Sequence, residues 1–478
     1  MPFQFDNSWH RDLPGTFLPL SPDRAPAPRL MVLNRQLAVE LGLDPDDLAA
    51  QGARWFSGAA LPPGAEPVAL AYAGHQFGGF SAQLGDGRAH LLGEFRSPDG
   101  RRWDLQLKGS GRTPFSRGGD GKAALGPMLR EHLISEAMAA LGVPTTRSLA
   151  VVTTGEQVLR ETGPLPGAVL ARVAASHIRV GTFQFHAARG DQANLTALLH
   201  YTIARHFPDL AGAATPALAL WDAVAARQVR LIAQWMGIGF VHGVMNTDNM
   251  ALSGETIDYG PCAFLDDYAP GAVFSSIDRQ GRYAYGNQPL ILGWNLARLI
   301  ETLLPLLGEE AAAVAVANDR LGGIAGAYQA AWLAVMRGKL GFSGAEAGDL
   351  ALAEGFVAAL EGVDWTLAFR RLAPAAEGDA GPLLALFANA GLVQDWLPRW
   401  RARLGPGAAD QLRAKNPAVV PRNHLVEAAL QAATAGDMGP FEALLAEVTN
   451  PFAPERGREA YALPAPTGFG RYVTYCGT

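Results

Sequence analysis

The stretch that decides the fold is VHGVMNTDNMALSGETIDYG, Val241–Gly260. Kinases carry a catalytic loop of the form H-[GR]-D-x-x-x-x-N, followed by a D-F-G-like triplet. Here His242 opens such a loop, Asn249 stands seven residues later, and Asp258 begins the triplet D-Y-G. Val244 occupies the place of the catalytic aspartate, and its side chain cannot accept a proton. The stretch therefore predicts a kinase-like site whose base is missing from its usual position.

The length and composition fit a globular protein of two or three domains, or one large bilobal enzyme. The chain has 478 residues, of which 49% are hydrophobic, so it can bury a sizeable core. A net charge of −6 argues against a general nucleic-acid binder, and 2 cysteines exclude a disulfide framework or a structural zinc site. The N-terminus lacks the pattern of a signal peptide, and no uncharged run is long enough to span a bilayer. We expect a cytoplasmic protein with neither nucleic-acid nor membrane partners.

The pattern along the chain divides it into three parts. Residues 1–66 are proline-rich and irregular, with one helix expected around Asn34–Leu41. Residues 67–190 read as a kinase-like N-lobe, and residues 191–478 as a helical C-lobe that contains the catalytic loop. This order predicts an α+β, protein-kinase-like bilobal fold, with a small sheet-containing N-lobe and a large, mainly helical C-lobe.

Individual elements can be read within these parts. AHLLGEF, WDLQLKG, SLAVVTT and GAVLARV have strand character, and Lys122–Val143 has helical periodicity that ends at a Gly and a Pro. A second long helical pattern, at residues 217–239, leads into the catalytic loop. Asn249 and Asp258 are expected to face each other across a short hairpin.

A glycine-rich turn precedes the first of the two central strands. Gly85 and Gly87 allow backbone N–H groups to approach a phosphate closely, and Arg88 adds a guanidinium group. The alternative is an ordinary Asp-Gly hairpin turn without a ligand.

A lysine and a glutamate follow in the order that kinases use. Lys108 ends a predicted strand, as the phosphate-binding lysine of kinases does. Such a lysine needs a carboxylate from the next helix. Glu131 is the first candidate and Glu136 the second, and the alternative is that lysine and glutamate are both solvated surface residues.

Two arginines lie just before the helical half. Arg172 and Arg179 are seven residues apart, which places both on one face if the segment is helical, unless it becomes a loop after Ser176. Their planar guanidinium groups suit phosphate, although two surface arginines are the simpler alternative.

The catalytic loop itself offers oxygen ligands. Asn249 and Asp258 suit Mg²⁺ or Mn²⁺ held together with nucleotide phosphates. Asp248 supplies a carboxylate where no kinase needs one. The alternative is a turn in which these side chains bond only to the local backbone.

These motifs together resemble the selenoprotein O family (SelO). The matching segments run from residue 5 to the last residue, and include AYAGHQFGGFSAQLGDGRA, DLQLKGSGRTPFSRGGDGKAALGPMLRE, HGVMNTDNMALSGETIDYGPCAFLDDY, QPLILGWNLARL and the terminal YCGT. The resemblance implies a kinase-like fold that transfers AMP from ATP to Ser, Thr or Tyr hydroxyls of proteins. It also implies that the nucleotide is flipped relative to kinases. Some bacterial members are described as UMP transferases that use Mn²⁺.

The resemblance further implies a role for each matching residue. Gly85, Gly87 and Arg88 match the glycine-rich loop; Lys108, Asp120, Gly121, Arg172, Arg179 and Asp258 match ATP contacts; Glu131 matches the partner of the lysine; Asp248 matches the proton acceptor; and Asn249 and Asp258 match the metal ligands. The base would then have moved from position 244 to Asp248. A phosphotransferase would need an aspartate at position 244, whereas an inactive nucleotide-binding scaffold would tolerate the loss of Asp248 or Asp258.

The C-terminus carries a redox candidate. Cys476 stands where some members of the family have selenocysteine, and its only possible partner within the chain is Cys262, beside the metal motif. A transient disulfide between the two would pin the tail near Asp258 and act as a redox gate. The alternatives for Cys476 are a disulfide with glutathione or another protein and an inert terminal thiol; the alternative for Cys262 is a buried core thiol.

Overall fold

In the part of the chain that the structure describes, the strands form one large sheet and two small ones. A computed structural model of the protein describes residues 3–161, 163–454 and 456–475. Its strands are β1 (Phe17–Pro19), β2 (Arg29–Leu33), β3 (Val68–Leu70), β4 (Gly74–Gln76), β5 (Gly79–Ser81), β6 (Ala89–Arg96), β7 (Arg102–Lys108), β8 (Ala123–Ala124), β9 (Arg147–Arg160), β10 (Gly163–Ala174), β11 (Phe240–Val241) and β12 (Ala263–Phe264).

Helices dominate the chain after β10. They are α1 (Ser8–Asp12), α2 (Arg35–Glu40), α3 (Pro45–Trp55), α4 (Leu125–Ala140), α5 (Val180–Ala187), α6 (Gln192–His206), α7 (Pro216–Ile238), α8 (Gln288–Leu303), α9 (Glu310–Gly322), α10 (Ile324–Lys339), α11 (Asp349–Ala359), α12 (Trp365–Arg370), α13 (Leu372–Ala376), α14 (Gly381–Leu384), α15 (Gly391–Arg403), α16 (Ala408–Lys415), α17 (Asn423–Thr434), α18 (Gly439–Val448) and α19 (Glu459–Ala462). Within the described ranges, none of these helices combines the length and the apolar character needed to cross a bilayer.

The large sheet is antiparallel, with the order β1-β3-β6-β7-β10-β9-β2 and with β8 paired to β10. Strand β7 lies at its centre, where Lys108 stands opposite Ala89 of β6 and Leu170 of β10. Because side chains alternate along a strand, Asp104, Gln106 and Lys108 share one face. The register of this central strand therefore places a row of polar side chains on one side of the sheet.

The two faces of the sheet are covered by different elements. Leu105 and Leu107, the apolar residues that alternate with the polar row, pack with α2 and α3 through residues such as Leu37 and Leu48. On the other face, α4 packs its buried apolar side chains into the main core of the protein. Helix α4 is the predicted Lys122–Val143 helix, shortened because Ala123–Ala124 pair with β10 instead.

Residues 3–66, the described part of the predicted N-terminal extension at 1–66, are more regular than the sequence predicts. The expected helix is present as α2, with the Asn34 side chain accepting a hydrogen bond from Leu37 N at 3.0 Å. However, β1 and β2 join the large sheet, and α3 was not predicted. Proline-flanked strands of three and five residues are too short to show alternation, so only their pairing with β3 and β9 reveals them. The domain boundaries at 66 and 190 stay a prediction.

The second half of the chain is a helical lobe built around α7. This helix is the predicted pattern at 217–239, and it is buried among α8, α10 and the catalytic loop. Buried indole rings pack in the lobe, and two examples show how their N–H groups are satisfied: Trp221 donates to Leu296 O at 3.0 Å and Trp365 to Gly237 O at 3.1 Å. A sheet-rich lobe followed by a mainly helical lobe confirms the predicted α+β, kinase-like bilobal architecture.

A buried arginine joins three distant parts of the helical lobe. The Arg422 side chain is 0% exposed, and its Nη1 lies 2.7 Å from both Asp266 Oδ1 and Asp364 Oδ2. Its Nε donates to Ala462 O at 3.1 Å, which holds α19 against the lobe. Asp364 in turn caps α12 through Leu367 N at 2.7 Å.

We predict that Arg422→Leu lowers the free energy of unfolding by about 3–5 kcal/mol, because it leaves the buried Asp364 carboxylate without its cation. Urea unfolding followed by circular dichroism measures the change. Arg399→Leu is the matched control, since Arg399 is exposed on α15. Equal stability of the two variants would show that the buried pair does not hold the lobe together.

Candidate functional site

The centre of the site is a lysine shared by two carboxylates. Lys108 ends β7, and its Nζ contacts the carboxylates of both Glu131 on α4 and Asp258 of the D-Y-G triplet. The second glutamate considered, Glu136, pairs instead with Arg147. Burial alone would raise the pKa of Asp258, but Lys108 and the neighbouring arginines hold that pKa well below its ordinary value. Asp258 is therefore an anion in the folded protein.

The backbone around Asp258 is fixed on both sides. Its φ of 72° lies in the left-handed region, which aspartate adopts only uncommonly. On one side, His242 Nε2 donates to Ile257 O at 2.9 Å; on the other, the buried Tyr259 hydroxyl bonds to Thr145 Oγ1. These anchors hold Asp258 in a conformation that aims its carboxylate at the lysine.

The catalytic loop ends in a short 3₁₀ turn, Thr247–Asn249. Asn249 Nδ2 donates to Val244 O at 3.0 Å, which directs its amide oxygen away from the loop. Val244 itself is 6% exposed, and its N–H donates to His242 Nδ1 at 3.3 Å. The valine side chain is therefore a core residue of the loop rather than a group presented to a ligand.

Asp248 lies beneath the small hairpin formed by β4 and β5. Gln76 Nε2 of this hairpin donates to Asp248 Oδ2 at 3.2 Å. The other carboxyl oxygen, Oδ1, is buried and has no hydrogen-bond partner among the described residues. A Cβ on Gly74 would lie 2.7 Å from that oxygen, so only glycine leaves it room. Burial raises the pKa of Asp248 to about 6, which makes this carboxyl able to take up a proton near neutral pH.

Two arginines bring buried positive charge to the same region. Arg179 Nη1 donates to Asp248 O at 2.8 Å, and its guanidinium stacks 4.6 Å from the centre of the Tyr72 ring. Arg172 Nη2 donates to Gln106 Oε1 at 2.6 Å, and its Nη1 lies 3.8 Å from Glu131 Oε2. The Nε atoms of both arginines and Nη1 of Arg172 are buried without a hydrogen-bond partner in the described part of the chain. Such unsatisfied donors suit an anionic ligand.

The glycine-rich turn is packed tightly against the loop that follows β7. A Cβ on Gly85 would overlap the Phe115 ring, and one on Gly87 would lie 2.9 Å from Phe115 O. Between them, Asp86 is 3% exposed and accepts a hydrogen bond from Gln106 Nε2 at 2.8 Å. Arg88, at the end of the turn, helps to lower the pKa of Asp258, which places its charge near the lysine. The turn is thus part of the site's wall and not a free surface hairpin.

Asp120 and Gly121 are not in contact with this centre. The Asp120 carboxylate lies 2.8 Å from Arg160 Nη1 and accepts a hydrogen bond from Lys122 N at 3.0 Å. Gly121 crosses Gly111 so closely that a Cβ would overlap the Gly111 backbone. Their contact with a nucleotide stays a prediction.

The expected hairpin between Asn249 and Asp258 is wrong. The two segments that would form the hairpin pair with other parts of the chain: Ala251 forms a β-bridge with Arg179, and Thr256 forms one with Thr145. The backbone between the two polar residues is therefore tied to the start of α5 and to the α4–β9 turn. This pairing depends on segments that are far apart along the chain, so no local pattern could show it.

Sequence reasoning missed three residues that shape the site: Gln76, Asp86 and Gln106. Gln76 bonds to Asp248, whereas Gln106 bonds to both Asp86 and Arg172. Gln106 could have been found, because it stands two residues before Lys108 and so shares its strand face. Gln76 offers no such signal, since it reaches Asp248 across 172 residues of sequence.

The redox candidate Cys476 lies outside the described residues, so its role stays a prediction. Cys262 is a buried free thiol, and burial raises its pKa to about 11. Its Sγ lies 3.1 Å from Tyr259 O. The tail comes close to it, because Thr474 Oγ1 donates to Pro261 O at 2.8 Å.

Comparison with known proteins assigns this arrangement to a family. The family model for "Protein adenylyltransferase SelO" matches residues 2–449. A protein of Cereibacter sphaeroides (strain KD131) named "Protein nucleotidyltransferase YdiU" is 61% identical over 482 residues, covering 100% of both chains. Proteins of the same name from Chromobacterium violaceum, at 57% identity over 98% of this chain and 100% of the relative, and from Sphingopyxis alaskensis, at 55% identity over 100% of both, are similar to it as well. The chain therefore belongs to the SelO family of protein adenylyltransferases and is a nucleotidyl-transferring enzyme.

Proposed function

We propose that the protein transfers AMP from ATP to Ser, Thr or Tyr hydroxyls of other proteins and releases pyrophosphate. One observation carries the proposal: the position of the kinase base is a buried valine, while the nearby Asp248 carboxyl has a buried, unpartnered oxygen and a pKa raised to about 6. A group of this kind suits a proton acceptor. Asp248 lies further along the loop than position 244, where kinases have their base. We therefore infer that the phosphorus attacked here is a different one from the γ-phosphorus that kinases transfer.

The distribution of positive charge supports a flipped nucleotide. Lys108, Arg172 and Arg179 are each 4% exposed, and several of the arginine N–H groups have no acceptor among the described residues. A terminal phosphate placed among them would satisfy these donors. With the γ-phosphate held deep in the site, the α-phosphate would be presented for attack.

The residues present fit a divalent cation. Asp258 is held as an anion, and the Asn249 amide is oriented with its oxygen away from Val244. A carboxylate and an amide oxygen, completed by nucleotide phosphates and water, are a usual ligand set for Mg²⁺ or Mn²⁺. When bound, such an ion would neutralise charge that develops on the phosphates. Asn249 and Asp258 are the proposed ligands.

The chemical step follows from these positions. The substrate hydroxyl oxygen attacks the α-phosphorus, and the bond from that phosphorus to the oxygen bridging to the β-phosphate breaks. Asp248 takes the hydroxyl proton, AMP becomes esterified to the substrate, and pyrophosphate leaves. Gln76 holds one Asp248 oxygen, which leaves Oδ1 for the proton. Lys108 and the two arginines stabilise the departing pyrophosphate.

UMP transfer with Mn²⁺ is the second candidate, because the curated relatives carry the broader name nucleotidyltransferase. An inactive nucleotide-binding scaffold is the third. Intact-protein mass spectrometry of acceptor proteins, incubated with ATP and Mg²⁺ or with UTP and Mn²⁺, separates them. We expect a mass gain of AMP with ATP. A gain of phosphate, a gain of UMP alone, or no gain at all would each reject the proposal.

We predict that Asp258→Asn lowers kcat/KM for AMP transfer by about 100-fold or more and weakens metal-dependent ATP binding, because it removes the anionic ligand. Isotope-labelled AMP transfer and calorimetric ATP titration measure the two effects. Asp209→Asn, an exposed residue of the helical lobe, is the matched control. Full AMP transfer by the Asp258 variant would remove this residue from the metal site.

We predict that Val244→Asp does not create kinase activity, since the γ-phosphate is proposed to lie deep in the site and away from position 244. The measurement uses ATP labelled at the γ-phosphate and, in parallel, at the α-phosphate. Efficient γ-phosphate transfer by this variant would contradict the flipped nucleotide. Val244→Asn, of similar size and without charge, shows how much any change depends on packing alone.

A further inference from the structure

The β4–β5 hairpin forms the outer wall of the site at Asp248. His75 N donates to Thr247 Oγ1 at 2.7 Å, and Phe77 N donates to Asn246 Oδ1 at 3.0 Å. The hairpin is therefore fastened directly to the loop that carries Asp248. A hydroxyl that approaches Asp248 from another protein has to pass this hairpin or the residues beside it.

A cationic and aromatic surface surrounds the hairpin. We name it the acceptor platform; it consists of Phe77, Phe80, Arg282, Trp294 and Arg298. Phe77 and Phe80 are 37% and 46% exposed, although they are large apolar residues. The guanidinium groups of Arg282 and Arg298 lie 4.7 Å and 5.1 Å from the centre of the Trp294 ring. A rigid aromatic surface that also presents arginines is typical of protein interaction sites.

Arg282 is the member of the acceptor platform with two unsatisfied guanidinium nitrogens in the described part of the chain. Its guanidinium carbon is 3.7 Å from where a Cβ on Gly78 would stand, so it lies beneath the hairpin tip. Its Nε and Nη2 are buried and have no hydrogen-bond partner among the described residues. These two nitrogens form the edge of a guanidinium that binds a carboxylate in a paired fashion. Arg282 thus holds unsatisfied guanidinium donors against the hairpin whose Gln76 bonds to Asp248.

The charge around the platform is positive in a protein whose net charge is −6. Two further arginines, Arg117 and Arg189, are exposed where their guanidinium groups bond to Gln76 of the hairpin and to Ala82 just after it. The nearby carboxylates are engaged: Asp278 accepts the backbone N–H of Arg282 at 2.9 Å, and Glu301 pairs with Arg298.

We propose that the acceptor platform binds an acidic segment of the protein substrate, with an aspartate or glutamate close to the hydroxyl that receives the nucleotide. The substrate carboxylate bonds to the Arg282 guanidinium at the edge of the hairpin, and the exposed Arg117 and Arg189 add long-range attraction. Neighbouring apolar side chains of the segment cover Phe77 and Phe80. This arrangement holds the hydroxyl beside Asp248, so the inference rests on the proposed function.

The test compares short fluorescent peptides that contain one tyrosine flanked by Asp and Glu, by Asn and Gln, or by Lys. Binding is measured by fluorescence anisotropy in the presence of a non-hydrolysable ATP analogue, at low and at high salt. We expect the acidic peptide to bind about tenfold or more tightly than the lysine peptide, and its advantage to shrink at high salt. Equal affinity for the acidic and lysine peptides, or binding of neither, overturns the proposal.

Charge reversal identifies the arginine. Arg282→Glu is expected to weaken binding of the acidic peptide by about tenfold or more and to strengthen binding of the lysine peptide. The affinity for the neutral peptide is expected to change little. Arg399→Glu introduces the same charge on an exposed face of α15 and is expected to behave as the unmodified protein. An equal loss of affinity for all three peptides in Arg282→Glu would contradict the proposed charge recognition. It would indicate that the substitution unfolds the acceptor platform locally.

Nucleotide transfer to the same peptides, followed by mass spectrometry, separates failure of this inference from failure of the proposed function. Preferential binding of the acidic peptide without transfer of AMP would support recognition by the acceptor platform and contradict the proposed AMP transfer. Transfer of AMP to the acidic and lysine peptides at equal rates would support the proposed AMP transfer and contradict recognition by the acceptor platform. Arg282→Glu is expected to raise KM for the acidic peptide more than it lowers kcat.

Discussion

The site depends on the ion cluster that Lys108 forms with Glu131 and Asp258. Its members come from the central strand, from α4 and from the D-Y-G triplet of the helical lobe, so one ammonium group links the two lobes. Two buried carboxylates around one lysine are costly to desolvate, and they persist because further cations stand nearby. Arg172 lies 3.8 Å from Glu131, and Arg88 helps to lower the pKa of Asp258. A metal ion and a nucleotide would compete for these same charges.

The polar row on β7 adds further buried hydrogen bonds on the same face of the strand. Lys108 holds the carboxylates, Gln106 joins Asp86 to Arg172, and Asp104 accepts from His177 N at 2.8 Å. The alternating leucines, Leu105 and Leu107, anchor the strand in the core under α2 and α3. A single strand therefore serves both as a core element and as the floor of the site, because its two faces meet different surroundings.

The hairpin over Asp248 links the proposed chemistry to substrate choice. It holds the carboxyl through Gln76, leaves room for it at Gly74, and carries the exposed Phe77 and Phe80 on its outer side. A substrate segment bound there would be close to Asp248, the proposed proton acceptor, without contacting the buried Arg172 and Arg179, which are proposed to bind phosphate. Separate surfaces for nucleotide and protein would allow the affinity for each to vary independently.

The sequence by itself determined the order of the lobes, the central strands, α4, α7 and the catalytic loop with valine at position 244, because these features depend on local periodicity and spacing. It could not show β1, β2 or α3 as regular elements, nor that Ala251 and Thr256 pair with Arg179 and Thr145 rather than with each other. Only the tertiary structure decided the burial of Asp248, the role of Gln76 and the position of Arg282 beneath the hairpin. Each of these results from contacts between segments far apart in sequence, and the burial that shifts the pKa of Asp248 exists only once those segments have packed together.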